Sequence, residues 1–371
     1  MTIVQTEFSE AELLAHHDIA EPLILNGVRC HGGFLDDGQY VSPRTKNRRP
    51  AIEAWEAQRS AQFSTPLLGV PLDTWPESFP NVAQTRFLLG KGVPEPTIGA
   101  LTRIGTVEGF GGMLRMIPTP DWGSCFDEPI DGTAVAHIDH GLFEAHARDE
   151  AGHGEEAGHN RMWFVARDMA FENPDVEDQT SRMMARMGIS GSPAARTSAS
   201  QAPAVVRELP DDIDPVLESV VSRMIGLLLI EISAFHSFAW AEEVLSDTSL
   251  VGGEGKAATI VSYIRSDETP HVAWLRTALS EMRDRTWIGT SGRRHGGGAM
   301  IGRLWDNALE RSLTLRRQEN LRFFMDEIDE AVEGRQDGAD VIAEMLSLGS
   351  VVRLADGSLC DRAADPAGDI G

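Results

Sequence analysis

From about residue 97 onward, apolar residues recur at three- and four-residue intervals. This pattern predicts amphipathic helices over roughly 97–117, 137–172, 214–246 and 256–285, with a fifth helical stretch near 301–347 that allows a break. The first fifty residues read differently. Short apolar runs flank Asn26-Gly27 and precede Asp36-Asp37-Gly38, turn signals that predict a hairpin. A short helix begins at Pro50 (AIEAWEAQRSAQF) and leads into a Pro-rich connection over 66–96. The Ser-, Pro- and Gly-rich segment 174–213 reads as a long crossover between the second and third helices. Residues 289–298 read as a Gly-rich loop that matches neither nucleotide-binding glycine pattern. The resulting division is an N-terminal extension over 1–96, a helical core over 97–285, additional helices over 286–350 and a tail over 351–371, an all-α class overall.

The informative positions are polar ones on apolar stripes. Glu231 interrupts the run 224–235, where an ionised carboxyl needs a metal, a proton or a cationic partner to offset its desolvation. Glu268 and His271 lie three residues apart, about 60° around a helix, on a face shared with Val261, Ile264, Val272 and Leu275. Glu108 shares a face with Leu101, Ile104, Gly111 and Gly112; the glycines read equally as space for a small molecule or as close helix packing. The second helix offers two overlapping pairs, Glu150 with His153 and Glu156 with His159, which one continuous helix cannot both aim inward. Leu142, Trp163 and Ala166 on the stripe of Glu156 favour Glu156 and His159, and Glu150 with His153 stand as the alternates. His236 points away from the Glu231 face. His146 reads as a helix-surface residue that joins only if the register shifts. His137 and His140 read as capping, and Trp163, Trp240 and Trp274 as core.

Charge narrows the partners. A net charge of −24 disfavours nucleic acid and anionic membranes, which are bound through basic surfaces. No apolar run is long enough to span a bilayer, and the acidic N-terminal stretch lacks the marks of a secretory signal. Three widely separated cysteines suit a reducing cytosol and exclude a thiolate zinc knuckle, so a cytoplasmic setting is expected.

Two Glu-x-x-His pairs, each preceded by a helix carrying an isolated Glu, resemble the ferritin-like di-iron carboxylate proteins over about 97–285. The resemblance implies a four-helix bundle that binds two iron ions through Glu108, Glu156, His159, Glu231, Glu268 and His271. Asp267 and Glu155, each preceding a ligand Glu, would orient the histidines. Four carboxylates balance two divalent cations, and carboxylate with imidazole suits iron or manganese. The implied activity is a dioxygen-dependent oxidation of a small organic molecule: hydroxylation, N-oxygenation or desaturation. It admits an electron-donor protein and a homodimer. The competing expectations are an iron-storage protein, a di-manganese enzyme dismutating peroxide, and a metal-free helical scaffold. With Tyr40 and Tyr263 as the only tyrosines, a radical-relay role is disfavoured.

Overall fold

The computed structural model describes residues 5–174, 176, 207–354 and 356–362, and most of the expected crossover over 174–213 lies outside them. The described residues are mostly helical, with three small sheets. In chain order, α1 (Glu10–Leu13) precedes β1 (Glu21–Leu25), β2 (Val28–Phe34) and β3 (Tyr40–Val41), which form one antiparallel sheet in that order. The turn between β1 and β2 is the expected one. Leu25 pairs with Val28, while Asn26 and Gly27 take φ of 49° and 77°, the left-handed values that a two-residue hairpin needs.

The helices α2 (Arg48–Gln62), α3 (Val82–Gly90), α4 (Glu95–Phe110), α5 (Trp122–Cys125), α6 (Phe143–Ala151) and α7 (His159–Ala170) follow. After the undescribed segment come α8 (Pro215–Leu245), α9 (Lys256–Asp267) and α10 (Thr269–Arg283). The hairpin β4 (Thr286–Ile288) with β5 (Arg294–Gly296) leads into α11 (Gly297–Arg311). A π-helical turn, Ser312–Arg316, connects α11 to α12 (Arg317–Ala331), and α13 (Gly338–Ser347) and the hairpin β6 (Val351–Arg353) with β7 (Leu359–Asp361) complete the described chain.

Several expectations are corrected. The connection over 66–96 contains α3, whose N-terminus is closed by a reciprocal Asn81–Gln84 capping box. The loop over 289–298 is largely the β4–β5 hairpin, and the tail over 351–371 contains the β6–β7 hairpin. The first core helix ends at Phe110 and tightens into a 3₁₀ turn, Gly111–Met116. Most consequentially, the helix expected over 137–172 is not continuous: α6 stops at Ala151 and α7 restarts at His159.

That break has a local and a distant cause. Gly152 and Gly154 take φ of 82° and 60°, values that β-carbon-bearing residues avoid, and a Cβ at Gly158 would collide with the backbone of Glu150 and Gly152. The backbone released by the helix is taken up by β2: His31 N–H donates to Ala157 O at 3.2 Å, and Ala157 N–H to Arg29 O at 2.9 Å. The N-terminal sheet thereby seats the loop between α6 and α7.

Helix α8 is the longest rod, started by Pro215 and by the Asp214 carboxylate, which accepts from Val216 N–H at 2.6 Å. α7 packs on α4 and α9, and both α9 and α10 pack on α8. Two apolar cores result. One gathers Trp55, Ile138, Leu142, Met224, Leu228, Trp274 and Leu275, and the other Leu101, Met162, Trp163, Phe238, Val244, Val261 and Ile264. Each rod passes from one core to the other across its polar residues: from Leu229 and Ile232, which flank Glu231, to Phe238 in α8, between Ile264 and Trp274 in α9 and α10, and between Phe143 and Met162 in α6 and α7. Burying each such aliphatic or aromatic side chain contributes about 1.5–3 kcal/mol, so both cores hold the polar seam between them in register.

Candidate metal centre

Six buried or half-buried side chains meet at that seam: Glu108 from α4, Glu150 from α6, His159 from α7, Glu231 from α8, Glu268 at the α9–α10 junction, and His271 from α10. Their atoms form two interlocking groups, Glu108–Glu150–His159–Glu268 and Glu150–Glu231–His271 with His146, and within each group the ligand atoms lie within 4.8 Å of one another. Glu150 and Glu268 stand between the histidines. Glu268 Oε1 is 2.8 Å from His159 Nδ1, and its Oε2 is 2.6 Å from His271 Nδ1. Glu150 Oε1 lies 3.6 Å from His159 Nδ1 and 3.2 Å from His271 Nδ1.

Glu108, Glu231, Glu268, His271 and His159 are thus brought together as the sequence suggested. Glu156 is not. Its side chain is 27% exposed and lies 3.3 Å from Arg29, while His153 and Glu155 are exposed on the same loop. The helix break resolves the two overlapping pairs by taking one member of each, Glu150 from the first and His159 from the second. Gly111 is a close-packing residue, since a Cβ there would overlap the Glu150 side chain.

Each histidine is braced by the carboxylate preceding the other helix's glutamate. His271 Nε2 lies 3.0 Å from Asp149 Oδ2, and His159 Nε2 lies 3.5 Å from Asp267 Oδ2. Asp267 lies beside a histidine, and Asp149 rather than Glu155 lies beside the other. Asp149 is itself bound by Arg44 Nε at 2.7 Å and Arg48 Nη2 at 2.6 Å, all fully buried. Asp267 accepts from Tyr40 O–H at 2.8 Å, and His31 Nε2 approaches it at 3.5 Å. Gly32 leaves room for the Tyr40 ring, which stacks on Tyr263 at 4.3 Å. None of His31, Tyr40, Arg44, Arg48 and Asp149 was expected as a brace from sequence: the arginines read as solvated loop residues and Tyr40 only as one of two tyrosines. The one available signal was that Asp149-Glu150 mirrors Asp267-Glu268.

His146 differs from the other two histidines. Its Nδ1 accepts from Trp274 Nε1–H at 3.3 Å, and its buried Nε2, 3.1 Å from Glu231 and 3.4 Å from Glu150, makes no hydrogen bond. No carboxylate backs it. His137, expected at a cap, is instead buried against Trp55 with Nδ1 at 2.7 Å from Thr133 O, while His140 is exposed. His236 bonds Leu72 O at 2.8 Å, away from the cluster, and Trp163, Trp240 and Trp274 are core residues as expected.

The electrostatics are those of crowded anions. Burial, with Glu108 and Glu268 nearby, pushes the Glu150 carboxyl well above the usual range. Burial, joined by Glu231 and Glu108 and opposed by His159, does the same to Glu268. Burial lowers His159, but Glu268 and Asp267 outweigh it and raise that ring well above its ordinary value. Burial and the neighbouring His146 hold His271 well below its own. Burial would raise Asp149, yet Arg44 and Arg48 keep it well below the carboxylate range.

The donor set fits a pair of divalent cations. His159 Nδ1 and Glu268 Oε1 are buried and close to each other, yet neither has a hydrogen bond in proper alignment. Buried ligand atoms that face one another without bonding are the expected signature of a cation site. Four glutamates supply the charge that two divalent ions neutralise. No known protein family, curated protein or solved structure matches the chain.

Proposed function

We propose that this chain is a di-iron oxidase or oxygenase that uses dioxygen to hydroxylate, N-oxygenate or desaturate a small organic molecule. One observation carries the reading. Glu108, Glu150, His159, Glu231, Glu268 and His271 converge in a buried seam with their ligand atoms facing inward, Asp149 bonds the outer nitrogen of His271, and Asp267 faces that of His159 at 3.5 Å. Glu108, Glu150 and His159 would hold one ion and Glu231 and His271 the other, with Glu150 and Glu268 shared. Carboxylate and imidazole donors without thiolate suit iron or manganese. A reduced iron pair supplies the electrons that activate dioxygen.

The protein's own contribution is positional. Asp149, fixed by two guanidinium groups, keeps the His271 ring turned so that Nδ1 faces Glu268 and Glu150. Asp267, fixed by Tyr40, faces His159 Nε2 at 3.5 Å on the corresponding side. Trp163, Phe238, Trp274 and Leu228 are buried in the two apolar cores that flank the seam. A cavity of about 390 Å³ reaches Glu108 from the surface, which favours an enzyme over a storage protein. Among the described residues no helix is long and apolar enough to cross a membrane, and the three free cysteines support a cytoplasmic setting.

Anaerobic loading with ferrous iron, followed by iron quantitation and Mössbauer spectra on exposure to oxygen, tests the proposal. Two irons per chain with an antiferromagnetically coupled ferric product are expected. Failure to retain stoichiometric iron would refute it, and hundreds of irons per assembly would turn the reading to storage.

A further inference from the structure

The cavity that reaches Glu108 is walled by α4, α8 and α12 and by the segment 75–80. Its body is apolar, with Trp75, Ile104, Val107, Ile230, Leu313 and Phe324 among the walls, and Ile230 and Val107 are the most exposed, at 43% and 42%. Glu108 itself lines the cavity, so the apolar wall reaches the carboxylate cluster at that residue. Its charged groups are few. Arg103 is engaged by Glu327 at 2.6 Å, and Arg317 by Asp361 through two contacts of 2.6 and 3.2 Å. Glu77 receives Asn81 Nδ2 at 3.1 Å on one oxygen and the Ser350 hydroxyl at 3.0 Å on the other. Of these cavity groups Arg316, exposed at the rim, alone has no carboxylate partner among the described residues, and it closes the π-helical turn Ser312–Arg316, whose Ser312 and Leu313 also line the cavity. π-Helical turns concentrate at functional sites. In a chain of net charge −24, a guanidinium left unpaired beside an apolar cavity is a fit for one negative charge from a ligand.

Resting on the proposed function, we infer that the substrate is an apolar carboxylic acid. Its carboxylate pairs with Arg316 at the mouth, and its hydrocarbon body lies along Ile104, Val107 and Ile230 toward Glu108. A volume of about 390 Å³ sits at the lower end of small-molecule sites, which suits a single ring or a medium-length chain.

The test measures binding to the full chain, as purified and after ferrous loading, by titration calorimetry and by the fluorescence of Trp75 and Trp240. The probes are benzoate, 4-phenylbutanoate and decanoate, the primary amide of each, and 4-phenylbutylamine. At least one acid is expected to bind saturably and its amide about tenfold more weakly, with no binding of the amine. Arg316→Gln is expected to bring the acid down to the level of its amide while leaving the amide unchanged; Arg223→Gln, on an exposed face of α8, is expected to change neither. Binding of none of the acids, equal binding of acid and amide, preference for the amine, or an Arg316→Gln variant that still discriminates would each overturn the inference. Iron content is measured on the same samples. Two irons per chain without acid discrimination removes only the substrate assignment, whereas discrimination without iron removes the di-iron reading.

Discussion

Asp149→Asn separates the buried brace from the exposed acid that the sequence suggested for the same task. In the native seam, Asp149 receives Arg44 on one oxygen and both Arg48 and His271 on the other, with every partner buried. An amide in its place keeps one acceptor, but its NH2 faces donors on the side of Arg48 and His271, and two guanidinium groups lose their counter-charge. Removing one partner from a buried ion cluster costs about 3–5 kcal/mol. Retained amide hydrogen bonding places this variant near 3 kcal/mol, a fall in thermal midpoint of roughly 5 °C. Release of the His271 ring is expected to weaken metal binding by about 10–100-fold. Stability is read by calorimetry of the metal-free protein and affinity by competition with a coloured chelator. The triple change Asp149→Leu with Arg44→Met and Arg48→Met is expected to recover most of the stability without recovering the affinity, because apolar packing can replace an ion cluster but cannot orient an imidazole. Glu155→Gln, on the exposed loop, is expected to match wild type in both assays. The reasoning fails if Asp149→Asn binds metal as tightly as wild type, or if Glu155→Gln is the variant that loses affinity.

The remaining expectations concern the cluster and one buried acid outside it. Glu150→Gln is expected to lose at least one metal per chain by elemental analysis and Glu156→Gln none; the reverse pattern would restore the continuous second helix. His159→Gln and His271→Gln should each lose metal, whereas His146→Gln should retain two, since its Nδ1 takes the Trp274 N–H and no carboxylate orients the ring; loss of metal in His146→Gln would make it a ligand. Gly111→Ala should lower metal occupancy because the added methyl displaces Glu150, and an unchanged metal content would show that the helix can shift. Burial raises the Glu281 carboxyl from 4.5 to about 7 against the pull of Arg285 and the Val135 and Ala134 N–H groups. The folded state therefore binds this proton more tightly than the unfolded chain, and the associated stability, present below about pH 4.5, is lost as pH rises through 7. Relative to Glu281→Gln, wild type should lose roughly 3 kcal/mol across that window in urea unfolding; parallel profiles would refute the assignment.

Local physics made part of this molecule readable. The 3.6-residue period places Glu268 and His271 on one face, and the desolvation cost of an acid in an apolar run marks Glu231 as a residue needing a partner. Asn26-Gly27 dictates its hairpin because few other pairs accept two left-handed residues in succession. Even the break after Ala151 left a trace in Gly152, Gly154 and Gly158, which the strong helical pattern on either side overrode. Only the tertiary structure decided which histidine belongs with which glutamate. Periodicity relates residues within one uninterrupted helix, and it carries no information across a loop whose path is set by strand β2 more than a hundred residues earlier. Once Ala157 is held against Arg29 and His31, Glu150 and His159 face the same seam and Glu156 turns to solvent. The brace of Arg44, Arg48 and Asp149 was equally hidden, because a buried ion cluster is assembled from distant segments that each look, alone, like a solvated surface.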